Sequence, residues 1–115
     1  MTSMTVENER LTIWHRVASA SALVEGEPVE ASIGDIAVAV VRVDGTIYVI
    51  DNVCTHAYAL LSDGFVDGCT IECPLHQAKF VIRTGRCLGP PADEDLRVYS
   101  VKIDGDDVLA AVTAN

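Results

Sequence analysis

The sequence predicts one small all-β domain, built as an antiparallel sandwich or a partly closed barrel. Half of the 115 residues are apolar but only 5% are aromatic, so the core depends on Val, Ile, Leu and Ala. Valine is frequent, and its β-branched side chain favours strands. Glycine-containing turn signals recur at short intervals, and no apolar 3.6-residue period continues for several turns. These three observations favour short strands over helices.

Two hairpins are the clearest local predictions. Asp44-Gly45 separates two apolar runs, and Asp-Gly favours the type I′ turn that matches the twist of paired strands. Asp104-Gly105 separates a second pair of runs in the same way. The paired runs are residues 36–43 with 46–50, and residues 96–103 with 107–112.

The rest of the chain is assigned from the same signals. Further strands are expected at residues 11–17 and 28–33, and the alanine-rich residues 17–23 are expected to form one helical turn. Residues 52–86 break the strand pattern and are rich in Gly, Cys and His, which indicates an insertion that carries the chemistry. The length suits one domain spanning residues 1–115, with residues 1–10 as a loose polar tail.

Charge and hydropathy restrict the partners and the compartment. The formal net charge is −9, which argues against nucleic acid and against anionic membranes, because both attract basic proteins. The first ten residues show no apolar signal region, and the longest apolar run, residues 36–41, is far too short to span a membrane. We therefore expect a soluble cytoplasmic protein, whose cysteines bind metal or stay as thiols rather than form disulfides.

The insertion contains two short motifs, Cys54-Thr55-His56 and Cys73-Pro74-Leu75-His76. Each motif supplies one thiolate and one imidazole within a few residues, so two such loops could bind one metal site from opposite sides. In a Rieske-type [2Fe–2S] centre, two cysteines bind one iron and two histidines bind the other. Zinc also accepts two Cys and two His, although its usual motifs pair Cys with Cys and His with His. The alternation favours the iron–sulfur centre and leaves zinc as an alternative.

The chain resembles the Rieske family over almost its whole length, and within it the ferredoxin components of bacterial multicomponent aromatic-ring dioxygenases. The resemblance implies an antiparallel β domain with an inserted cluster-binding subdomain. It also implies one [2Fe–2S] cluster on Cys54, His56, Cys73 and His76, with the histidine edges near solvent, and a proline loop at Gly89-Pro90-Pro91 over one side of the cluster. The residues that carry the resemblance are the two motifs, Leu60, Ser62-Asp63-Gly64, Ile71-Glu72, Phe80, Arg83-Thr84-Gly85 and the strand around Tyr99, Val101, Lys102 and Ile103.

The resemblance implies a one-electron carrier with no catalysis of its own. Its partners would be an NAD(P)H-dependent flavoprotein reductase and a terminal ring-hydroxylating oxygenase, and we expect the carrier to be a monomer. Both partners are expected to dock near the histidine tip, and the acidic residues are expected to lie mostly elsewhere. The tip consists of Ala57, Tyr58, Leu75, Gln77 and Pro90-Pro91.

Two other functions remain open from the sequence. Small subunits of nitrite reductase share the fold, but many lack the ligands that this chain retains. A zinc-stabilised binding module would keep the ligands without a redox role. The chain also departs from many relatives, since Ala57 and Gln77 stand where Gly is frequent and Val81 stands where Asp is frequent.

Residues that differ from high-potential Rieske proteins predict a low reduction potential. Those proteins carry a disulfide between the loops, whereas the equivalent positions here are Ala59 and Leu75. They also direct a Ser and a Tyr hydroxyl at the cluster sulfurs, whereas this chain has Ala78 and Phe80. Hydrogen bonds to sulfur stabilise the reduced form, so their loss lowers the potential. The remaining cysteines, Cys69 and Cys87, are expected to be small apolar residues.

Overall fold

The computed structural model describes residues 12–55, 59–75, 77–90 and 92–112, and the tail expected at residues 1–10 lies outside these ranges. Within them the chain forms short antiparallel strands joined by tight turns, which confirms the all-β prediction. The strands are β1 His15–Ser19, β2 Val29–Ile33, β3 Ile36–Val43, β4 Thr46–Asp51, β5 Phe65–Asp67, β6 Thr70–Glu72, β7 Lys79–Val81, β8 Val98–Asp104 and β9 Asp107–Ala111.

Six strands form one curved sheet in the order β1-β9-β8-β4-β3-β2. The two outer strands, β1 and β2, lie close to each other, so the sheet curls into a nearly closed barrel. The other three strands, β5-β6-β7, form a small second sheet within the segment between β4 and β8. The insertion therefore has a sheet of its own. Its strands have only three residues each, which is too short for a recognisable alternation in the sequence.

The hairpin of β3 and β4 is formed as predicted. Asp44 and Gly45 have φ angles of 52° and 79°, the two positive values that a type I′ turn requires. The Glu25 carboxylate accepts the N–H groups of both turn residues, at 2.5 and 3.3 Å. A side chain from a distant loop thus stabilises the turn, which the sequence pattern does not reveal.

Other strand boundaries shift for identifiable reasons. β1 begins at His15 rather than at residue 11, because it pairs with β9 from His15 opposite Ala110, near the end of β9. β8 begins at Val98 rather than at residue 96, because the Leu96 N–H donates to the Gly85 carbonyl in the insertion. The helical turn expected within residues 17–23 is a single 3₁₀ turn at Ala20–Ala22.

The central strand β3 is buried on both faces, which accounts for its continuous apolar run. Val38 and Val40 pack into the barrel cluster, together with Tyr99 and Val108. The intervening residues face the insertion and belong to a second core cluster, which also contains Cys54 and Cys73. The insertion therefore packs against the barrel through a shared apolar core.

Two motif glycines are required by close approach of the backbone. A Cβ on Gly64 would lie 2.0 Å from the Glu72 carbonyl oxygen, and one on Gly85 would lie 2.2 Å from the Leu96 carbonyl oxygen. Gly85 also has a φ of 77°, a value that side chains disfavour. These contacts bring β6 and the entry to β8 against the loops that follow each cysteine motif.

Candidate metal centre

The first cysteine loop begins where β4 ends. Asn52 is buried, and its side-chain amide donates to the Ser62 hydroxyl at 3.0 Å and accepts the Ser62 N–H at 2.7 Å. The Asn52 carbonyl also accepts the Leu61 N–H at 2.7 Å. These bonds join the residue two before Cys54 to the 3₁₀ turn Leu61–Asp63 that follows the loop. Asn52 is not predictable from the sequence, because its burial and its bonds to Ser62 arise only in the folded chain.

The second cysteine loop joins β6 to β7. Cys73 follows β6 directly, and the Gln77 N–H donates to the Cys73 carbonyl at 3.2 Å. Gln77 has a φ of 61°, in the left-handed region that favours glycine. Glycine would adopt this conformation without strain. The loop therefore turns back tightly enough to place Ala78 opposite Cys73.

Both cysteine loops are closed by the same main-chain hydrogen bond. The Cys54 N–H donates to the Ala59 carbonyl at 2.9 Å, and the Cys73 N–H donates to the Ala78 carbonyl at 2.7 Å. In each case the acceptor lies five residues after the cysteine. The two loops thus have equivalent closures even though their Cys–His spacings differ by one residue.

The structure places two of the four predicted ligands. Cys54 and Cys73 are 4% and 0% exposed, and both belong to the core cluster that joins the insertion to the barrel. His56 and His76 lie outside the described residues, as do the tip residues Ala57, Tyr58 and Pro91. The remaining tip residues, Leu75, Gln77 and Pro90, are all exposed.

A third segment bridges the two cysteine loops. We refer to residues 87–95 as the strap; it contains the proline loop, of which Pro91 lies outside the described residues. The Thr55 hydroxyl of the first loop donates to the Glu94 carbonyl at 2.8 Å. At the other end of the strap, the Leu88 N–H donates to the carbonyl of Lys79, the residue that follows the second loop, at 2.9 Å. The strap is thus attached to both loops.

The strap also brings negative charge to the first cysteine loop. Residues 93–95 are all acidic and exposed, and the Thr55 contact holds them beside the first cysteine loop. These three of the 17 acidic residues are thus an exception to the expectation that the acidic residues lie mostly elsewhere. Their position depends on a contact between residues 39 apart, which the sequence pattern could not show.

The residues present fit an iron–sulfur cluster. Cys54 and Cys73 supply two buried sulfur donors from separate loops, and thiolate is the donor that iron–sulfur clusters require. Their neighbours in the core cluster are apolar and include Ala59, Ala78 and Phe80. Such surroundings limit the access of water, which is one of the ways in which a protein tunes a cluster.

Ala78 and Phe80 are both fully buried in the core cluster of Cys73. A methyl group and a phenyl ring cannot donate a hydrogen bond to sulfur. Ala59 and Leu75 carry no thiol, so the loops cannot be joined by a disulfide at these positions. The structure therefore agrees with the two features from which the low reduction potential is predicted, namely no hydroxyl at residues 78 and 80 and no disulfide between the loops.

The two cysteines outside the motifs have different environments. Cys69 lies in the turn between β5 and β6 and packs, half-buried, against the insertion core. Cys87 is also half-buried, but its sulfur is hydrogen-bonded within the strap. The expectation of a small apolar residue therefore describes Cys69 better than Cys87.

Comparison with protein families identifies the fold and the centre together. A model of the Rieske [2Fe-2S] domain matches residues 13–100, which include all four predicted ligands. The chain belongs to this family. It therefore carries a Rieske-type [2Fe–2S] cluster, in agreement with the two buried cysteines on equivalent loops.

Curated and solved Rieske ferredoxins resemble the chain closely. This chain is 41% identical to the ferredoxin component of the naphthalene 1,2-dioxygenase/salicylate 5-hydroxylase systems of Ralstonia sp. The match covers 84% of this chain and 92% of that protein. A ferredoxin from Sphingomonas yanoikuyae B1 is 36% identical and superimposes with a TM-score of 0.82, covering 88% of this chain and 100% of that one. These relatives are electron-transfer components rather than catalytic subunits.

Two further structures bear on partners and alternatives. A chain from the complex of reduced oxygenase and oxidized ferredoxin in carbazole 1,9a-dioxygenase is 35% identical, with a TM-score of 0.80, covering 86% of this chain and 93% of that one. The nitrite reductase small subunit from Mycobacterium tuberculosis has a TM-score of 0.79 but only 23% identity. The match covers 91% of this chain and 99% of that one. The second likeness shows a common fold alone. Among the described residues, no helix is long and apolar enough to cross a membrane.

Proposed function

We propose that this chain is the ferredoxin component of an aromatic-ring dioxygenase system. Its cluster is held by Cys54, His56, Cys73 and His76, and it passes single electrons to a terminal oxygenase. The observation that supports this most is the pair of equivalently closed loops, each with a buried cysteine. These loops lie in a Rieske chain that is similar to a dioxygenase ferredoxin over 84% of its length. The likeness to the ferredoxin of a solved oxygenase–ferredoxin complex supports the partner.

The protein's own residues bind the centre and limit the access of solvent to it. When bound, the cluster supplies reversible uptake of one electron. Cys54 and Cys73 hold it from the core side, where main-chain bonds fix the two loops and apolar neighbours exclude water. On the solvent side, exposed Leu75 and Gln77 provide contact surface next to the position of His76. Electrons therefore enter and leave at the tip without a substrate pocket.

The electron donor in this proposal is an NAD(P)H-dependent flavoprotein reductase. Nicotinamide cofactors deliver two electrons as hydride, whereas this centre accepts one, so a flavin is needed to divide the pair. Such a donor operates where NAD(P)H is available, which supports a soluble cytoplasmic location. We propose that the carrier acts as a monomer, because it must meet two partners in turn with one tip.

The alternatives make different predictions. A nitrite reductase subunit is supported only by a common fold, since the identity of that structure to this chain is 23%. A zinc-stabilised module would contain the same cysteines but neither iron nor labile sulfide. Metal content separates zinc from iron, and transfer to a purified oxygenase separates a dioxygenase ferredoxin from other Rieske proteins.

The decisive experiment uses the full chain, purified anaerobically. We expect two irons and two acid-labile sulfides per chain, and a Rieske EPR spectrum after reduction with dithionite. His76→Ala and His56→Ala should abolish this spectrum, whereas Cys69→Ser should retain it. Stoichiometric zinc without labile sulfide would contradict the ligand assignment. A loaded protein that fails to reduce any aromatic-ring terminal oxygenase would contradict the proposed partner.

A further inference from the structure

Hydrogen bonds to Cys87 close the strap. The Cys87 thiol donates to the Ala92 carbonyl at 3.0 Å, and its sulfur accepts the Gly89 N–H at 3.4 Å. The Cys87 N–H donates to the Asp95 carboxylate at 2.8 Å. The sulfur therefore lies inside the loop, and the backbone of the same residue is bonded to the loop's other end.

This closure lies next to both attachments of the strap. Leu88 bonds to the residue that follows the second cysteine loop, and the Glu94 carbonyl bonds to Thr55 of the first. Cys87 and Asp95 flank these two attachment points directly in sequence. Because residues 87 and 95 are bonded to each other, the distance between the attachments is fixed. The closure thus holds Leu88 and Glu94 at the separation with which the strap bridges the two loops.

We propose that Cys87 and Asp95 are a positioning pair, which holds the strap across the two cysteine loops and limits the access of water and solutes to the cluster. The inference rests on the proposed ligand assignment, because it requires the cluster to lie between the loops of Cys54 and Cys73. The Cys87 thiol acts here as a hydrogen-bonding group that organises a loop, and it is neither a ligand nor a redox group.

The pair can be separated from general packing by conservative substitutions. Cys87→Ala removes every hydrogen bond of the sulfur, whereas Cys87→Ser keeps a donor and an acceptor at the same position. Asp95→Ala removes the acceptor for the Cys87 N–H, whereas Asp95→Asn keeps an acceptor oxygen. Cys69→Ala is the matched control, because Cys69 is a half-buried cysteine on the same core cluster but outside the strap.

The measurement is the rate at which the loaded full-length protein loses its visible cluster absorption in excess EDTA, at a temperature well below unfolding. We expect loss to be about fivefold faster in Cys87→Ala and Asp95→Ala, because each removes a bond that keeps the strap closed. Cys87→Ser, Asp95→Asn and Cys69→Ala should remain within about twofold of the wild type on the same basis. The reduced EPR spectrum and the midpoint potential should shift in the two alanine variants of the pair and stay constant in Cys69→Ala.

Two results with the cysteine variants would overturn the inference. The first is an unchanged rate, spectrum and potential in Cys87→Ala. The second is an equal effect of Cys69→Ala, which would indicate general loss of packing. If Cys87→Ala cannot be loaded with a cluster, the contrast between Asp95→Ala and Asp95→Asn decides, and equal rates for those two overturn the inference. A wild-type protein without iron and labile sulfide refutes the proposed function itself, whereas unaffected variants of a loaded protein refute only the positioning pair.

Discussion

Gln77 adopts a left-handed backbone conformation in the tight turn that follows the second motif. The turn requires this conformation, because Cys73 must reach both Gln77 and Ala78 with main-chain hydrogen bonds. For an L-residue other than glycine such a conformation costs about 1–2 kcal/mol. This strained residue follows His76, a proposed ligand, and strain often accompanies function.

Gln77→Gly should therefore stabilise the protein. Relief of strain, about 1–2 kcal/mol, is partly offset by the greater chain entropy of glycine, about 0.5–1 kcal/mol. We expect a net increase of about 0.5 kcal/mol in the free energy of unfolding, seen as a higher urea midpoint of the loaded protein. Lys79→Gly is the control, because it places glycine in strand β7 and should lower the midpoint. A lower midpoint for Gln77→Gly would contradict the strain argument.

The buried neighbours of Cys73 should set the reduction potential. Neither Ala78 nor Phe80 can donate to sulfur, so the wild-type potential should lie near the low end of the Rieske range, about −150 mV. Ala78→Ser and Phe80→Tyr should each raise the potential if the added hydroxyl reaches a cluster sulfur or a ligand sulfur. The check is redox titration monitored by EPR, and a wild-type midpoint well above zero at pH 7 would refute the explanation.

The sequence predicts the ligands more directly than it predicts the groups that support them. Spacing alone indicates Cys54 and Cys73, because few centres use mixed Cys–His loops. Asn52, Asp95 and the sulfur of Cys87 act through partners that lie up to ten residues away or in another loop. Such contacts depend on the folded path of the chain, and no local pattern records them.

At the scale of elements, β4 and β8 share fewer paired residues than any other two neighbouring strands of the large sheet. Only Val49 with Tyr99 and Ile50 with Val98 are paired there among the described residues. The Asp51 carboxylate reinforces this pairing, since it accepts the Tyr99 hydroxyl at 2.5 Å and the Arg97 N–H at 2.9 Å. Burial, followed by the bond to Asp51, raises the pKa of Tyr99 to about 12.

Stability should consequently depend on pH through Tyr99. Its pKa is higher in the folded protein than in the unfolded chain, where it is near 10. Its contribution is therefore complete below pH 10 and is lost as the pH rises towards 12. Tyr99→Phe should be less stable than the wild type by about 1 kcal/mol at pH 8, and the difference should shrink by pH 11.5. Urea midpoints at both pH values test this, and a constant difference would exclude the linkage.

The hairpin of β3 and β4 could be predicted because local residues determine it. The three short strands of the insertion could not, because they depend on tertiary contacts. β3 and β4 are joined by a turn whose residues determine its type, so local chemistry fixes the register. β5, β6 and β7 have three residues each and are stabilised by close packing at Gly64 and by the core beneath them. Their existence depends on tertiary contacts, which override weak local preferences.

For the whole molecule, electron transfer should be sensitive to the exposed tip. Leu75 is 63% exposed beside the position of His76, and weak redox encounters use small contact areas. Leu75→Ser should slow reduction of the terminal oxygenase about fivefold and leave the cluster spectrum unchanged, because it removes apolar contact without altering a ligand. Stopped-flow transfer to a purified oxygenase is the measurement.

Ile103→Ser provides the matched control for this experiment. Ile103 is 49% exposed, but it lies in the part of β8 next to the turn with β9, away from the residues of β8 that pair with β4. We expect its transfer rate to equal that of the wild type. Equal slowing by both substitutions would show that the tip is not the docking face.

The closure of both cysteine loops by peptide groups also affects how such a protein can evolve. Backbone bonds hold the two loops in shape whichever donor atoms the side chains present. A substitution at a donor position can therefore change the redox chemistry while the architecture around it survives. A lineage with this property can exchange its ligands, or abandon the metal altogether, before selection must rebuild the fold.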